Sequence, residues 1–138
     1  MKEKIIETTR DEENVPSTMF PIASAALNSK LLEFIQQALL YKQLRKGINE
    51  TLKLISKDVV EAVLMAGNSD PPELLAPLPQ ICEEKGIPYC YVPHASSLGR
   101  ACGIKRPVLC CCILAVPDSP LQTQIQAMKD EIEKLFYN

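Results

Sequence analysis

The chain has no tryptophan, a single histidine (His94), and only seven phenylalanine and tyrosine residues in 138. A platform of several stacked aromatic rings is therefore not expected. No run of about 18 apolar residues occurs, which argues against a membrane-spanning helix. The opening MKEKIIETTRDEENVP holds no apolar segment long enough for a secretory leader. C-x-x-C pairs are missing, and with one histidine the usual zinc spacings are missing too. Neither a G-x-x-x-x-G-K-[ST] loop nor a G-x-G-x-x-G turn after a strand is present. His94 has Ser96 and Ser97 beside it, but neighbours on one turn do not make a nucleophile, base and orienting acid. Asp70 and Glu73, three apart at a helix start, favour the helix dipole before any catalysis. The expectation is a non-enzyme with no catalytic residue, metal site or cofactor.

What is present suits one compact domain. At 15.3 kDa, with 46% hydrophobic and 23% charged residues, the chain can build a core without metals or staples. The six cysteines are Cys82, Cys90, Cys102, Cys110, Cys111 and Cys112. Three of them lie inside PVLCCCILAV, where they read as small hydrophobes of a buried strand. Reduced thiols in a nuclear or cytosolic compartment follow from this.

The formal net charge is −2, so bulk charge does not advertise nucleic acid. Its distribution is uneven. Lys42, Arg45, Lys46, Lys53 and Lys57 stand against Glu50 and Asp58 between residues 41 and 58. Residues 94–107 hold Arg100, Lys105 and Arg106 and no acid. Two local basic patches on a near-neutral body suit local contact with a phosphate backbone, although on charge alone surface solvation is the preferred reading.

Residues 1–22 carry mixed charge with Pro16 and Pro21 and read as an N-terminal tail, leaving 23–138 as the domain. Asn28-Ser29 precede Leu31, Ile35, Ala38 and Leu39, a capped helical face. LRKG is a connector or edge strand, and INETLKLISK a short helix opened by Gly47. DVVEAVLMAG reads as a buried strand, and ELLAPLPQICEEKG as a helix kinked or partly 3₁₀ at Pro77 and Pro79. IPYCYV is a short strand, HASSLGRACG a short helix, and RPVLCCCILAV a second long buried strand. Ser119-Pro120 opens a last helix with Leu121, Ile125, Met128, Ile132 and Leu135 as its core stripe. Alternating helices and buried strands predict an α/β fold, a three-layer α/β/α sandwich around a central mixed sheet of about four strands.

The informative stretch is Arg45-Lys46-Gly47-Ile48-Asn49-Glu50-Thr51-Leu52-Lys53. Gly47 lets another backbone approach where a helix begins, and the first helical N–H groups there suit a phosphate. Asn49, Glu50 and Lys53 share one helical face. A carboxylate facing a polyanion is unfavourable unless it accepts from a base edge, and guanine N1–H and N2–H₂ are exposed only outside Watson–Crick pairs. Such a face suits non-canonical RNA. On these residues alone, a solvated helix with a Glu50–Lys53 contact is the simpler reading.

Four segments in order, YKQLRKGINETLK, VLMAGNSDPPELLAPLPQICEEKGIPYCYVP, LGRACGIKRPV and LQTQIQAMKDEIEKL, resemble the kink-turn RNA-binding ribosomal-protein family of the L-seven-Ae type. The likeness runs from about Pro21 to Asn138 and is strongest to eukaryotic members of spliceosomal and box C/D small nucleolar RNPs. It implies that Gly47, Asn49, Glu50 and Lys53 contact tandem sheared G·A pairs, and that Arg45 and Lys46 hold nearby phosphates. It implies that Asp70, Leu74, Ile104, Arg106 and Leu109 form a pocket for a flipped-out nucleotide. The implied partners are small nuclear and box C/D guide RNA, with spliceosomal and snoRNP proteins docking afterwards, in nucleus and nucleolus, on a protein monomeric when free. Two positions depart from the pattern: Asp70 stands where those members usually carry Glu, and Ala95 where the family usually carries Lys. The second departure implies weaker or differently tuned affinity. A ribosomal or H/ACA member of the same family, and a thiol-based redox protein, are the alternatives.

Overall fold

The computed structural model describes residues 20–69 and 72–136. Among these, five α-helices, four strands and one 3₁₀ turn alternate along the chain: α1 (Ala25–Leu40), β1 (Leu44–Lys46), α2 (Ile48–Ser56), β2 (Val60–Ala66), the 3₁₀ turn Pro72–Leu74, α3 (Pro77–Lys85), β3 (Tyr89–Val92), α4 (Ala95–Ala101), β4 (Cys110–Leu114) and α5 (Gln122–Phe136). The strands form one sheet in the order β1-β4-β2-β3. The β2–β3 pair is parallel, whereas β4 runs antiparallel to both β1 and β2. A parallel pair needs a crossover, and the 3₁₀ turn with α3 supplies it.

The near-continuous apolar strands are explained by burial on both faces. Leu64, Ala66, Cys90, Val92, Cys111 and Ile113 pack toward α1, α4 and α5. Val63, Met65, Tyr89, Tyr91, Cys110 and Cys112 pack toward α2 and α3. The triple cysteine is thus split by strand alternation, with Cys111 on one face and its two neighbours on the other. All six thiols are free and buried. The result is the expected three-layer sandwich with a mixed four-stranded sheet.

The structure differs from the sequence reading at three boundaries and at one supposed core residue. Helix α1 starts four residues before Ser29: Ser24 is its cap, accepting from the Leu27 N–H at 3.3 Å. Ser29 lies inside the helix and returns its hydroxyl to the Ala25 carbonyl. The earlier start is set from outside the helix, because the Tyr91 N–H donates to the Pro21 carbonyl and the Ala23 N–H donates to the Tyr91 carbonyl. This pairing covers the outer edge of β3. Leu39 is not core but 38% exposed. The proline-rich segment is partly 3₁₀, but at Pro72–Leu74 rather than at Pro77 and Pro79; the α-helix proper begins at Pro77, whose missing N–H costs nothing in the first turn of α3. Strand β4 begins only at Cys110, because Val108 donates instead to the Ala95 carbonyl and ties the preceding loop to α4.

Candidate nucleic-acid interface

Gly47 caps α2 with φ of 101° and ψ of 147°, a backbone region that side chains rarely adopt. A Cβ at that position would meet nothing within 4 Å, so conformation rather than crowding demands the glycine. The Gly47 N–H donates to the Cys110 carbonyl at 2.8 Å, and its carbonyl accepts from Thr51. The free donors of the helix start are therefore those of Ile48, Asn49 and Glu50. Asn49 and Lys53 are exposed, and Glu50 is half-buried. Among the described residues Glu50 and Lys53 form no ion pair, so the contact of the simpler reading is not made.

Strand alternation separates Arg45 from Lys46. Arg45 lies opposite Cys112 and Lys46 opposite Cys111, so their side chains leave opposite faces of the sheet. The Arg45 guanidinium folds back, donating to the Leu44 carbonyl at 2.8 Å and the Lys42 carbonyl at 3.4 Å. Lys46 faces a recess of about 450 Å³. One wall is Lys46, Gly47 and Ile48; the other is Ile104, Arg106, Pro107, Val108 and Leu109. Five of the residues singled out in the sequence thus line one cavity: Lys46, Gly47, Ile104, Arg106 and Leu109. Asn49, Glu50 and Lys53 continue from its first wall along α2. Leu74 is 45% exposed on the 3₁₀ turn and is not among the lining residues. Asp70 lies outside the described residues.

The second wall is built on Gly99. A Cβ there would sit 2.0 Å from the Arg106 carbonyl oxygen, so only glycine allows the α4–β4 loop to lie on the helix. The Ile104 N–H donates to the Gly99 carbonyl, and the Val108 N–H to the Ala95 carbonyl, closing the loop from both ends. The Ala66 N–H donates to the Leu109 carbonyl, which fixes the recess floor to β2. Asn68, two residues past β2, accepts from the Ala95 N–H through Oδ1 at 2.8 Å and so caps α4. Ile48, Asn68, Pro107 and Val108 were not singled out in the sequence. Asn68 carries no local signal, because its partner is 27 positions away. Ala95 itself is 6% exposed and belongs to the core.

Burial shifts most of the six thiols upward. Burial pushes Cys82, Cys90 and Cys110 up to about 12. Cys112 rises to about 11, again mainly by burial, with the Thr51 hydroxyl and Arg45 opposing and Glu50 adding. Cys111 is held well above the ordinary range by its hydrogen bond to Cys102 and by full burial. Cys102 is lowered by that same bond, with burial opposing and Lys46 assisting. Five of the six thiols are thereby disfavoured as thiolate nucleophiles.

The chain is 42% identical over 124 residues to the NHP2-like protein 1 homolog of Drosophila melanogaster, covering 90% of this chain and 98% of that protein. It is 45% identical over 117 residues to the 13 kDa ribonucleoprotein-associated protein of Saccharomyces cerevisiae, covering 85% of this chain and 93% of that one. The solved structure of the Giardia lamblia 15.5kD RNA binding protein matches with a TM-score of 0.84 at 28% identity, covering 88% of this chain and 99% of that chain. Residues 29–122 match the family described as ribosomal protein L7Ae/L30e/S12e/Gadd45. With the fold, the span of the match and the identities in agreement, this chain belongs to the L7Ae/L30e/S12e/Gadd45 ribosomal-protein family.

Proposed function

We propose that this protein is a non-enzymatic RNA-binding protein that recognises kink-turns, tandem sheared G·A pairs with a flipped-out nucleotide. Its targets are small nuclear and box C/D small nucleolar RNA. Binding nucleates RNP assembly for pre-mRNA splicing and rRNA processing, in the nucleus and nucleolus. The domain from residue 23 does the binding, with Pro21 and Ile22 joined to it through Tyr91; residues 1–19 of the tail read from the sequence lie outside the described residues.

One observation carries this reading: Glu50, a carboxylate with no ion pair among the described residues, stands on a polar helix face beside a cation-rimmed recess of nucleotide scale. Repulsion from a polyanion would disfavour Glu50 unless it accepts hydrogen bonds, and the exposed guanine edge of a sheared pair supplies two donors. Asn49 reads as its companion and Lys53 as a phosphate contact. Ile104 and Leu109 offer apolar contact to an extruded base, with Lys46 and Arg106 for its phosphates; Asp70 and Leu74 complete that pocket in this reading. The folded-back Arg45 would turn outward to reach RNA. Free kink-turn RNA is bent only part of the time, so binding the bent form shifts its equilibrium. The reading is supported by the names of the relatives, a ribonucleoprotein-associated protein and an RNA binding protein.

The test is binding of a kink-turn RNA and of a straight duplex of equal length. Glu50→Ala should weaken kink-turn binding several-fold to a hundred-fold, about 1–3 kcal/mol by analogy with base-edge contacts. Duplex binding should not weaken, because no guanine edge is offered there and one repelling charge is gone. Kink-turn binding indifferent to this substitution sinks the proposed face.

A further inference from the structure

The recess has a neighbour. A cavity of about 310 Å³ is lined by Ser96, Arg100, Lys105, Arg106 and Pro107. Arg106 and Pro107 belong to both cavities, so they form a ridge with the recess on one side and this cavity on the other. Arg100, Lys105 and Arg106 are all exposed. Among the described residues none of the three pairs with a carboxylate. The Arg100 guanidinium donates to the Ser97 hydroxyl at 3.5 Å. Arg100 has a structural explanation in the last turn of α4, where a cation complements the helix dipole. Lys105 has none: its charge adds to that of its neighbours with no acid to balance it.

We propose that this cavity seats a phosphate of the RNA strand as it runs on from the nucleotide held in the recess. The inference rests on the kink-turn reading given above. Three cations and a hydroxyl, with no carboxylate or aromatic ring among the described lining residues, offer donors to phosphate oxygens and nothing that would read a base. Arg106, reachable from both sides, can bridge successive phosphates with its forked donors. The ridge is fixed before RNA arrives, because the Arg106 carbonyl lies against Gly99 and both loop ends are tied to α4. A preformed loop backbone lowers the ordering cost of binding.

The experiment uses the full chain and two kink-turn RNAs, one natural and one with a neutral methylphosphonate at the linkage beside the flipped-out nucleotide. The double variant Arg100→Gln/Lys105→Gln should bind the natural RNA about five- to tenfold more weakly, with the salt slope reduced by about 1. The neutral linkage should cost wild type a similar factor and the double variant almost nothing, because the two changes remove the same contact. Arg100→Lys/Lys105→Arg should retain binding. If wild type prefers the kink-turn over a straight duplex while the double variant matches it in affinity and salt slope, the second seat is overturned and the recess stands. If both proteins lose equally to the neutral linkage, the seat is likewise overturned. If wild type binds both RNAs with equal weakness, the kink-turn reading fails and the seat with it.

Discussion

Gly47 and Gly99 underlie opposite walls of the same recess, yet a methyl group added to each would meet a different obstacle. At Gly47 the added carbon has open space, and the resistance comes from a φ of 101°. At Gly99 the backbone is helical, and the resistance is the Arg106 carbonyl 2.0 Å away. The first wall is therefore a matter of local conformation, held by one strand-to-helix turn. The second is a matter of tertiary packing, held by a helix lying on a loop. Damage to the first should stay near the RNA face, whereas damage to the second should spread into the fold.

Gly99→Ala is expected to have the largest effect on stability. A carbon placed that close to backbone cannot be absorbed by rotating a side chain, so the α4–β4 loop must move. Overpacking of this kind costs roughly 1–3 kcal/mol, and the upper end is expected here. Urea unfolding should show it, together with at least tenfold weaker kink-turn binding, because Arg106 and Leu109 move with the loop. A variant as stable as wild type would show that the loop is not seated on α4 as described.

Gly47→Ala should cost less stability, about 1–2 kcal/mol for a side chain held at positive φ with extended ψ. Its binding loss should exceed what the stability loss explains, since the new methyl points into the open space proposed for RNA. The pair of variants sharpens the contrast: the Gly99 change acts first on folding, the Gly47 change first on binding. Equal ratios of binding loss to stability loss would erase the distinction.

The sandwich was legible because its signals repeat. Strands buried on both faces read as apolar runs, and the alternation with helices recurs along the chain. Boundaries were less legible where two local signals competed. Ser24 and Asn28-Ser29 are all acceptable helix caps, and the choice fell to Ser24 through pairing of Pro21–Ala23 with Tyr91, which no local pattern encodes. The same division holds at the candidate site. The Gly47–Lys53 face is contiguous, so its residues could be placed on one helix by spacing. The opposite wall lies more than fifty residues later and meets the first only because β4 pairs with both β1 and β2. Ile104, Arg106 and Leu109 entered the reading through family resemblance, not through any spacing. Arg45 and Lys46, adjacent in sequence, are parted by the pleat.

Asn68 links the β2 loop to α4, and so tests whether the second wall depends on a single tie. Removing a side-chain cap typically costs about 1 kcal/mol. Asn68→Ala should therefore lower stability by about that much and weaken kink-turn binding only a few-fold, since Gly99 still seats the loop. A binding loss as large as that of Gly99→Ala would show that the cap, not the glycine, sets the wall.

The smallest effect, near neutral pH, concerns the buried thiols. Unfolded cysteines ionise near the ordinary 9.0, whereas burial holds Cys82, Cys90 and Cys110 near 12 and Cys112 near 11. Below pH 9 both states keep these protons, and stability should not change on their account. Above it the unfolded chain loses protons that the folded chain retains, so stability should fall as pH rises from about 9 toward about 12. Urea midpoints measured under reducing conditions check the sign; a rise in stability over that range would contradict the burial of the thiols. The walls should also differ in labelling. Cys102, beneath the second wall and lowered by Cys111 and Lys46, should alkylate before Cys110, beneath the first, even though both are buried. If Cys110 reacts first, access rather than thiolate character governs, and the first wall opens more readily than the second.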